Sequence, residues 1–262
     1  MIRTLLVALC CSLPALAQGK GKTEVTWYGH AAFLVKTPGG TTLAIDPWIN
    51  NPVAKDKAAL DKLPKVDFIL VTHGHFDHVG DTVAIQKKSN AKIVGLFELG
   101  TALVGAGAAA DSAGFATLGN VGGELQLTDE VTVAIVPAVH SSGFKKDDQS
   151  PMQYGGAPVG FVIQIKGGPT LYHTGDTAAF GDMKRIGDRY HPDVMLACMG
   201  GHFTMDPKDA ALAARDVGAK TIVPMHYGTF PVLTGTPEQL EKELKGGKSK
   251  LLKLQVGETK TF

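Results

Sequence analysis

The feature that most restricts the fold of this chain is a fully apolar run that ends in a dense group of metal-binding side chains. Residues Phe68 to Thr72 read FILVT, and they lead directly into His73-Gly74-His75-Phe76-Asp77-His78. An apolar run without alternation is typical of a strand that is buried on both faces, which requires structure on either side of its sheet. The chain therefore has to place this strand in a central sheet, with the polar side chains just beyond its carboxyl end.

Four potential ligands within six residues indicate a metal site. Imidazole nitrogens and a carboxylate are ligands that zinc, manganese and iron prefer. We expect Gly74 to let the backbone turn tightly, so that His73 and His75 converge on one ion. Asp77 and His78 are adjacent and cannot easily reach that same ion, so they indicate a second ion beside it.

Three more potential ligands each follow a predicted strand. They are His140, Asp176 and His226, after strands predicted at 131–136, 170–173 and 221–225. Such strand ends are where α/β proteins assemble ligand sites. Each residue alone is equally well explained as a core or capping residue. Together with the HxHxDH run, they complete seven ligands for two metals.

Short β-rich runs alternate with helical patterns along the whole chain, in the order strands, mixed units, and then the same again. This order predicts sheets in the middle with helices outside. Asp206-Pro207 is typical of a helix start, and Thr236-Pro237-Glu238-Gln239 resembles a capping box. Three further elements are predicted: a helix over 79–88, a loose helix within 99–118, and a last strand over 251–255.

Composition excludes several functional classes. The chain has 26 basic and 25 acidic side chains, so it offers no electrostatic footprint for nucleic acid or for an anionic membrane surface. Its 44% hydrophobic content is too high for a disordered chain. No apolar run reaches the roughly 20 residues that span a bilayer. We therefore expect a small-molecule substrate, no nucleic acid and no integral membrane association, while oligomeric state leaves no pattern.

The first residues have the layout of a secretory signal. Arg3 gives a basic start, an apolar stretch follows over 5–13, and an A-x-A pattern ends at Ala17. A short buried N-terminal helix is the alternative. Cleavage after Ala17 predicts a periplasmic or secreted protein with one domain over 18–262. Cys198 would then be its single cysteine, unable to form an internal disulfide.

The ligand pattern resembles the metallo-β-lactamase superfamily in its two-metal hydrolase form. Further motifs resemble one branch of it, the UPF0173 metal-dependent hydrolases, related to the ascorbate-6-phosphate lactonases. These motifs are Trp27-Tyr28-Gly29-His30, Ile45-Asp46-Pro47, Pro137 to Ser142, Tyr172 to Thr177 and Val223 to Tyr227. The resemblance runs from about Glu24 to Leu244. It implies an α+β fold, the four-layer αβ/βα sandwich, with two mixed β-sheets face to face, helices outside and metals at one edge.

The resemblance also implies roles for the ligands. His73, His75 and His140 would hold one divalent metal, Asp77, His78 and His226 a second, and Asp176 would bridge them. Zinc is expected, with manganese or iron as alternatives. A hydroxide between the two ions would attack a small ester, lactone or phosphodiester. Asp77 would also orient that hydroxide or receive its proton.

Other residues are expected around this centre. Asp46 would orient the ligand loop by hydrogen bonding, or else serve as a cap or turn former. His30 would line the pocket, or else be a satisfied structural histidine, and Tyr227 is placed near the pocket by its motif. His202 stands where related sequences often carry Asn. It would contact substrate or donate a proton to the leaving group, unless it is simply a loop histidine.

Three alternatives to this hydrolase remain. An exported β-lactamase would suit the signal, but such enzymes generally carry Cys or Ser at the position of Asp176. A nuclease would usually add a clamp domain or a basic arm, and this chain is neutral. A metal-binding or redox module without hydrolysis is the third alternative, and oxygen-reducing relatives of this kind carry a Glu in place of one ligand His and an attached flavin domain.

Overall fold

The computed structural model describes residues 22–262, so the predicted signal segment 1–17 lies outside the described residues. The strands of the described part are β1 (Glu24–Gly29), β2 (Ala32–Lys36), β3 (Thr42–Ile45), β4 (Phe68–Leu70), β5 (Lys92–Leu96), β6 (Leu118–Gly119), β7 (Glu124–Gln126), β8 (Val131–Pro137), β9 (Gly143–Phe144), β10 (Gln153–Tyr154), β11 (Val159–Ile165), β12 (Thr170–His173), β13 (Val194–Cys198), β14 (Thr221–Met225), β15 (Lys250–Leu251) and β16 (Thr259–Thr261). The α-helices are α1 (Ala59–Lys62), α2 (Phe76–Val79), α3 (Thr82–Ser89), α4 (Phe97–Gly105), α5 (Met183–Tyr190), α6 (Pro207–Val217) and α7 (Pro237–Glu243), with one 3₁₀ turn at Ala110–Ser112.

Two successive stretches of the chain build two sheets of the same design. The first sheet has the order β16-β1-β2-β3-β4-β5-β6, and the second has the order β15-β14-β13-β12-β11-β8-β7. Each begins with antiparallel strands and continues with parallel ones. The last strand returns to the first sheet, where β16 pairs with β1 and Thr261 lies opposite Glu24.

The central strands β2 and β3 of the first sheet are buried on both faces. Phe33 points towards the second sheet, where it shares a core with Phe161. Its neighbour Leu34 points the other way, into a separate core with Ile85 of α3 and Leu99 of α4. Helix α6 packs on β13 on the far side of the second sheet. The predicted αβ/βα sandwich with two mixed sheets is confirmed. Within residues 22–262, no helix is long and apolar enough to cross a membrane.

Both predicted helix starts are confirmed. The Asp206 carboxylate accepts a hydrogen bond from the Asp209 amide at 2.9 Å, and Pro207 opens α6. At the start of α7, Thr236 and Gln239 form the reciprocal capping box. Since capping satisfies amides that have no partner within the helix, these short patterns fix where each helix begins.

Three elements differ from the sequence predictions. The helix predicted over 79–88 corresponds to α3 and shares only Val79 with α2. Between the two helices, Asp81 accepts hydrogen bonds from the backbone and side-chain nitrogens of Asn50 at 3.0 and 3.1 Å. The region 99–118 holds α4, a 3₁₀ turn and the start of β6. Of the strand predicted over 251–255, only Leu251 lies in a strand, which is β15. The last strand of the chain is β16, which was not predicted.

One edge of the sandwich collects the strand ends that carry the predicted ligands. Strands β1, β3 and β4 run in one direction in the first sheet, and β8, β12, β13 and β14 share one direction in the second. Backbone hydrogen bonds join the sheets there. The Val159 amide donates to the Thr72 carbonyl at 3.1 Å, and the His226 amide donates to the His30 carbonyl at 3.0 Å.

Candidate metal centre

The ligand run after β4 forms a single helical turn. His75 lies at the N-cap of α2, where its backbone is extended, and the turn then contains Phe76, Asp77 and His78. Asp77 and His78 are buried, whereas Phe76 is 65% exposed. Because successive side chains on a helix point about 100° apart, one turn presents both ligands to the interior and the phenyl ring to solvent.

Gly74 is needed for space rather than for a special backbone angle. The backbone bends at Gly74, as the sequence predicts, but without a positive φ. A Cβ at this position would lie 3.0 Å from both the Gly143 carbonyl oxygen and the Cβ of Phe144. The Gly74 amide also donates to Ser142 Oγ at 3.1 Å. The ligand loop therefore lies directly against β9.

The first predicted group of ligands comes together. The nitrogens of His73, His75 and His140 all lie within 4.8 Å of one another. His73 Nε2 and His75 Nδ1 face each other at 2.9 Å. His75 Nε2 lies 3.4 Å from Ser141 Oγ, and this contact can hold the ring in place. Two sheets contribute to this group, since His140 follows β8.

The second predicted group comes together as well, with one addition. Asp77, His78 and His226 offer ligand atoms within 4.8 Å of one another, and His30 belongs to the same cluster. His226 Nε2 lies 3.7 Å from Asp77 Oδ2. All four side chains are buried or nearly so.

Asp176 lies between the two groups. Its Oδ2 is 4.0 Å from His73 Nε2 and 3.7 Å from His140 Nε2, on the side of the first group. The same atom is 3.2 Å from His78 Nε2 and 2.9 Å from His226 Nε2, on the side of the second. Gly175 makes this loop possible, because its φ is +60° and a Cβ would lie 2.4 Å from the Val159 carbonyl oxygen.

Asp46 orients two of the histidines. Its Oδ2 accepts hydrogen bonds from His78 Nδ1 and from the Thr72 hydroxyl, both at 2.7 Å, and its Oδ1 accepts from the Thr72 amide at 2.8 Å. Since the Thr72 hydrogen is given to Asp46, the hydroxyl oxygen accepts from His73 Nδ1 at 3.0 Å. In its neutral form, each of the two histidines then presents a bare Nε2 to the centre, the arrangement that metal-binding histidines usually have.

His30 holds Asp77 from behind. It is fully buried, and its Nε2 donates to Asp77 Oδ2 at 2.9 Å. Its Nδ1 accepts from the Thr229 hydroxyl at 2.8 Å. Burial lowers the pKa of His30 to about 4, although the bond to Asp77 opposes this shift. A neutral ring suits both hydrogen bonds, because only the neutral form has one donor and one acceptor nitrogen.

Burial and charge divide the remaining ligands into two sets. Burial lowers the pKa of His73, His75 and His140, so these rings are neutral at pH 7 and free to donate to a cation. For His226, burial is outweighed by Asp176, whose carboxylate raises the pKa to about 9. His78 likewise has a raised pKa, because Asp176 and Asp46 together outweigh its burial.

The donor set fits divalent cations. Three buried atoms of the predicted ligands have no hydrogen-bond partner within residues 22–262, namely His78 Nε2, Asp176 Oδ1 and His226 Nδ1. Buried polar atoms are normally paired, so unpaired ones require an explanation. Imidazole nitrogens and carboxylate oxygens that converge without enough hydrogens to share are satisfied by a cation of the zinc, manganese or iron type.

Two sequence-predicted residues lie apart from this centre. His202 is exposed, has a φ of +60°, and packs its ring against Phe203 rather than against the ligands. His202 is not among the residues that line the cavity above the ligands, and its catalytic role stays a prediction. Tyr227 stacks on Trp27, with ring centroids 5.4 Å apart, and does not line the cavity above the ligands.

Several residues of the site were not predicted. Thr72 and Thr229 were not predicted, because a threonine near a histidine has no distinctive spacing in sequence. Thr72 directly precedes His73, and Thr229 follows His226 by three residues. The apolar wall of the cavity was missed for a different reason. Phe203 and Phe230 look like ordinary core residues in sequence, yet both line the cavity of about 660 Å³ that opens above the ligands.

The fold and the ligand set define a class. The family described as a beta-lactamase superfamily domain matches residues 41–227, so the chain is a member of this superfamily. Igni18, a metallo hydrolase from Ignicoccus hospitalis KIN4/I, is 35% identical with a TM-score of 0.79, covering 92% of this chain and 98% of that chain. An isothiocyanate hydrolase from Delia radicum gut bacteria has a TM-score of 0.69, covering 91% of this chain and 99% of that chain, but at 22% identity it supports the fold alone.

Curated relatives narrow the class. A UPF0173 metal-dependent hydrolase from Anaeromyxobacter sp. (strain K) is 59% identical over 244 residues, which cover 93% of this chain and 88% of that protein. Another, from Thermodesulfovibrio yellowstonii, is 51% identical and covers 91% of this chain and 92% of its own length. The chain therefore belongs to the family of UPF0173 metal-dependent hydrolases.

Proposed function

We propose that the protein hydrolyses a small ester, lactone or phosphodiester with two divalent metal ions, held in the two ligand groups and shared through Asp176. Two such ions, when bound, lower the pKa of a water molecule between them and polarise the bond under attack. Zinc suits the donor set, and manganese or iron would suit it too.

The observation that carries this proposal is the position of Asp176. One oxygen, Oδ2, lies within 4.0 Å of histidine nitrogens from both groups, and the other has no hydrogen-bond partner. A carboxylate that served only one ion, or only the fold, would not need four imidazoles around a single oxygen. This arrangement supports a shared ligand.

The chain's own groups prepare the reaction. Asp46 and Thr72 fix the rings of His73 and His78, so that no reorganisation is needed when a substrate arrives. Asp77 lines the cavity, where its carboxylate can accept a hydrogen bond from the attacking water. His30 keeps that carboxylate in place through Oδ2.

Substitution of Asp176 tests the proposal. We expect Asp176→Ala to lose metal, measured by elemental analysis, and to lose turnover of p-nitrophenyl acetate, bis-p-nitrophenyl phosphate, a chromogenic lactone and nitrocefin. Asp188→Ala is the matched control, because this aspartate lies on α5 with its side chain 64% exposed. Full metal content and unchanged turnover in Asp176→Ala would remove the bridging role.

We also propose that the protein is exported, on the basis of the sequence pattern that ends at Ala17. In a bacterial host that exports proteins, the mature chain should begin at Gln18 and appear in the periplasm or medium. N-terminal sequencing measures this directly. A cell-associated chain that still begins at Met1 would contradict the proposal.

A further inference from the structure

The cavity above the ligands has an apolar mouth. Its walls are formed by Phe76, Met152, Phe203, Phe230 and Val232, while the predicted ligands lie at its base. Four of these five belong to the ten large hydrophobic side chains that are exposed in residues 22–262. Exposed apolar groups that gather around one concave site mark a binding surface, whereas single ones scattered over a surface do not.

One wall of the mouth is built in advance. Phe230 stacks on Trp48 with ring centroids 5.9 Å apart, and Phe76 meets the same indole edge to face at 5.6 Å. Phe230 also packs edge to face on the buried ring of His30. Because these rings hold one another, the aromatic wall keeps its shape without a ligand. The opposite parts of the mouth, Met152 and Phe203, are 64% and 55% exposed and can adapt to different shapes.

None of the residues that line the mouth is Lys or Arg, and the charged groups among them are the carboxylates and histidines of the metal centre. Lys145 lies in the same loop as Met152, but its ammonium group donates to the Asp148 carbonyl at 3.1 Å. Phosphate and carboxylate groups are usually recognised by Arg or Lys, so an anionic substituent away from the metal centre would have no Arg or Lys partner here.

We propose that the substrate is an uncharged carboxylic ester or lactone with an apolar group beside the bond that is cleaved, in preference to an anionic phosphodiester. This inference rests on the proposed hydrolase function. Water adds its oxygen to the carbonyl carbon, and the bond between that carbon and the alkoxy oxygen breaks. One proton of the water passes to the departing alcohol, and the acid is released as a carboxylate and a proton. The volume of about 660 Å³ suits a substrate of drug-like size.

A series of p-nitrophenyl esters with acyl chains of two to eight carbons tests the inference on the metal-loaded protein. Each methylene that becomes buried should raise kcat/KM by up to about fourfold. In Phe203→Ala, this rise should flatten, so that kcat/KM for the octanoate ester falls by a larger factor than kcat/KM for the acetate ester. Phe115→Ala is the matched control, because Phe115 is 89% exposed and lies outside the cavity.

A flat chain-length profile, or faster turnover of bis-p-nitrophenyl phosphate than of every ester, would overturn the inference and leave the proposed hydrolase intact. Binding provides a readout that does not need turnover. N-octylacetamide is uncharged and is not an ester, and calorimetry should show that it binds the original protein and Phe115→Ala at least fivefold more tightly than Phe203→Ala. Equal affinities would overturn the inference even if no substrate is found.

Two other ligands of the mouth, a lipid surface and a second copy of the chain, can each be recognised by a separate measurement. Cosedimentation with phosphatidylcholine vesicles that disappears in Phe203→Ala would assign the mouth to a lipid surface. A dimer in light scattering that disappears in the same variant would assign it to a second copy of the chain. Either result overturns the inference, which expects the protein to stay in the supernatant and its molar mass to be the same with and without Phe203.

Discussion

The backbone amide of His226 donates to the backbone carbonyl of His30 at 3.0 Å, and their rings are in contact, with centroids 3.9 Å apart and planes tilted by 44°. His30 follows the first strand of the first sheet, and His226 follows β14 of the second. Trp27 donates its indole N–H to the same carbonyl at 3.0 Å. The two sheets are thus locked together at the point where the second metal would bind, and the ligand geometry depends on both.

The bond from His30 to Asp77 gives the first prediction. His30→Ala should weaken the second metal about 10- to 100-fold, since it removes the group that orients a ligand carboxylate. The first metal should be retained, because His30 does not contact its ligands. Stepwise metal titration measures both affinities.

Two variants sharpen this test. His30→Gln can still donate towards Asp77 and should recover part of the affinity. His202→Ala is the matched control, since His202 is also a histidine with positive φ but is exposed. We expect it to bind two metals normally and to keep turnover within about twofold. A large loss of turnover in His202→Ala would instead support the catalytic role predicted for this residue.

Asp46 gives the second prediction. Asp46→Asn should lower metal affinity by about 10- to 100-fold, because an amide has one acceptor oxygen and cannot accept at both Oδ1, from the Thr72 amide, and Oδ2, from His78 and the Thr72 hydroxyl. It should also cost roughly 2 kcal/mol of unfolding free energy, since one buried donor loses its charged partner. Asn is suited to the φ of +43° at this position, so the backbone should be preserved.

Asp46 orients His78 directly and His73 through the Thr72 hydroxyl, and Thr72→Val separates these two arms. It breaks the contact to His73 and leaves the bond between Asp46 and His78, so it should affect mainly the first metal. Chemical denaturation and metal titration measure the two effects. Equal losses at both metals in both variants would argue against separate arms.

Metal removal gives the third prediction. Since both sheets supply ligands, each of the two proposed ions should stabilise the folded state by about 4 kcal/mol when free metal is about 1,000 times Kd. Chelation of both should then lower Tm by roughly 20 °C for a chain of this size, and added metal should restore it. Asp176→Ala should show a much smaller shift. A Tm that does not respond to chelation would show that the cluster does not hold ions.

Glu130 gives a prediction about pH. Its carboxylate, just before β8, accepts hydrogen bonds from the hydroxyls of Thr37 and Thr41 and from the Gly39 amide, in the turn between β2 and β3. Although burial opposes them, these bonds hold the pKa of Glu130 below its usual value. Glu130 therefore ties the first sheet to the second in its ionised form.

The sign of the effect follows from this lowered pKa. The stabilisation is present above about pH 4.3, the unfolded value, and is lost as pH falls through the lower folded value. Glu130→Gln should cost about 1 kcal/mol at pH 7, a modest amount because the site is half exposed. The difference should shrink in acid. Denaturation at several pH values measures it, with Glu243→Gln at an exposed position of α7 as the control.

The sequence predicted those parts of the fold that are determined by residues close together in the chain. The run from Phe68 into the HxHxDH motif predicted a central strand with ligands at its end, and Asp206 marked the start of α6. Strand β16 could not be predicted in this way, because its residues, Thr259 to Thr261, are exposed and have no apolar pattern. It exists because the edge of β1 offers it backbone partners.

The site shows the same division. The ligands were visible because metal chemistry restricts residue type, whereas the apolar mouth was not, because a phenylalanine in a wall and one in a core look alike in sequence. His202 was expected at the site because it follows β13. Its backbone turns at a positive φ and carries the ring outward, which spacing alone does not reveal.

The return of β16 to the first sheet has a practical consequence for handling the protein. Thr23 and Phe262 exchange a pair of backbone hydrogen bonds at 3.1 and 2.9 Å, at the end of β1 that lies away from His30. A linker, tag or solid support joined to either residue would therefore attach the protein at the face opposite the metal centre. Protein immobilised in this way would keep the cavity directed towards the solvent and accessible to added reagents.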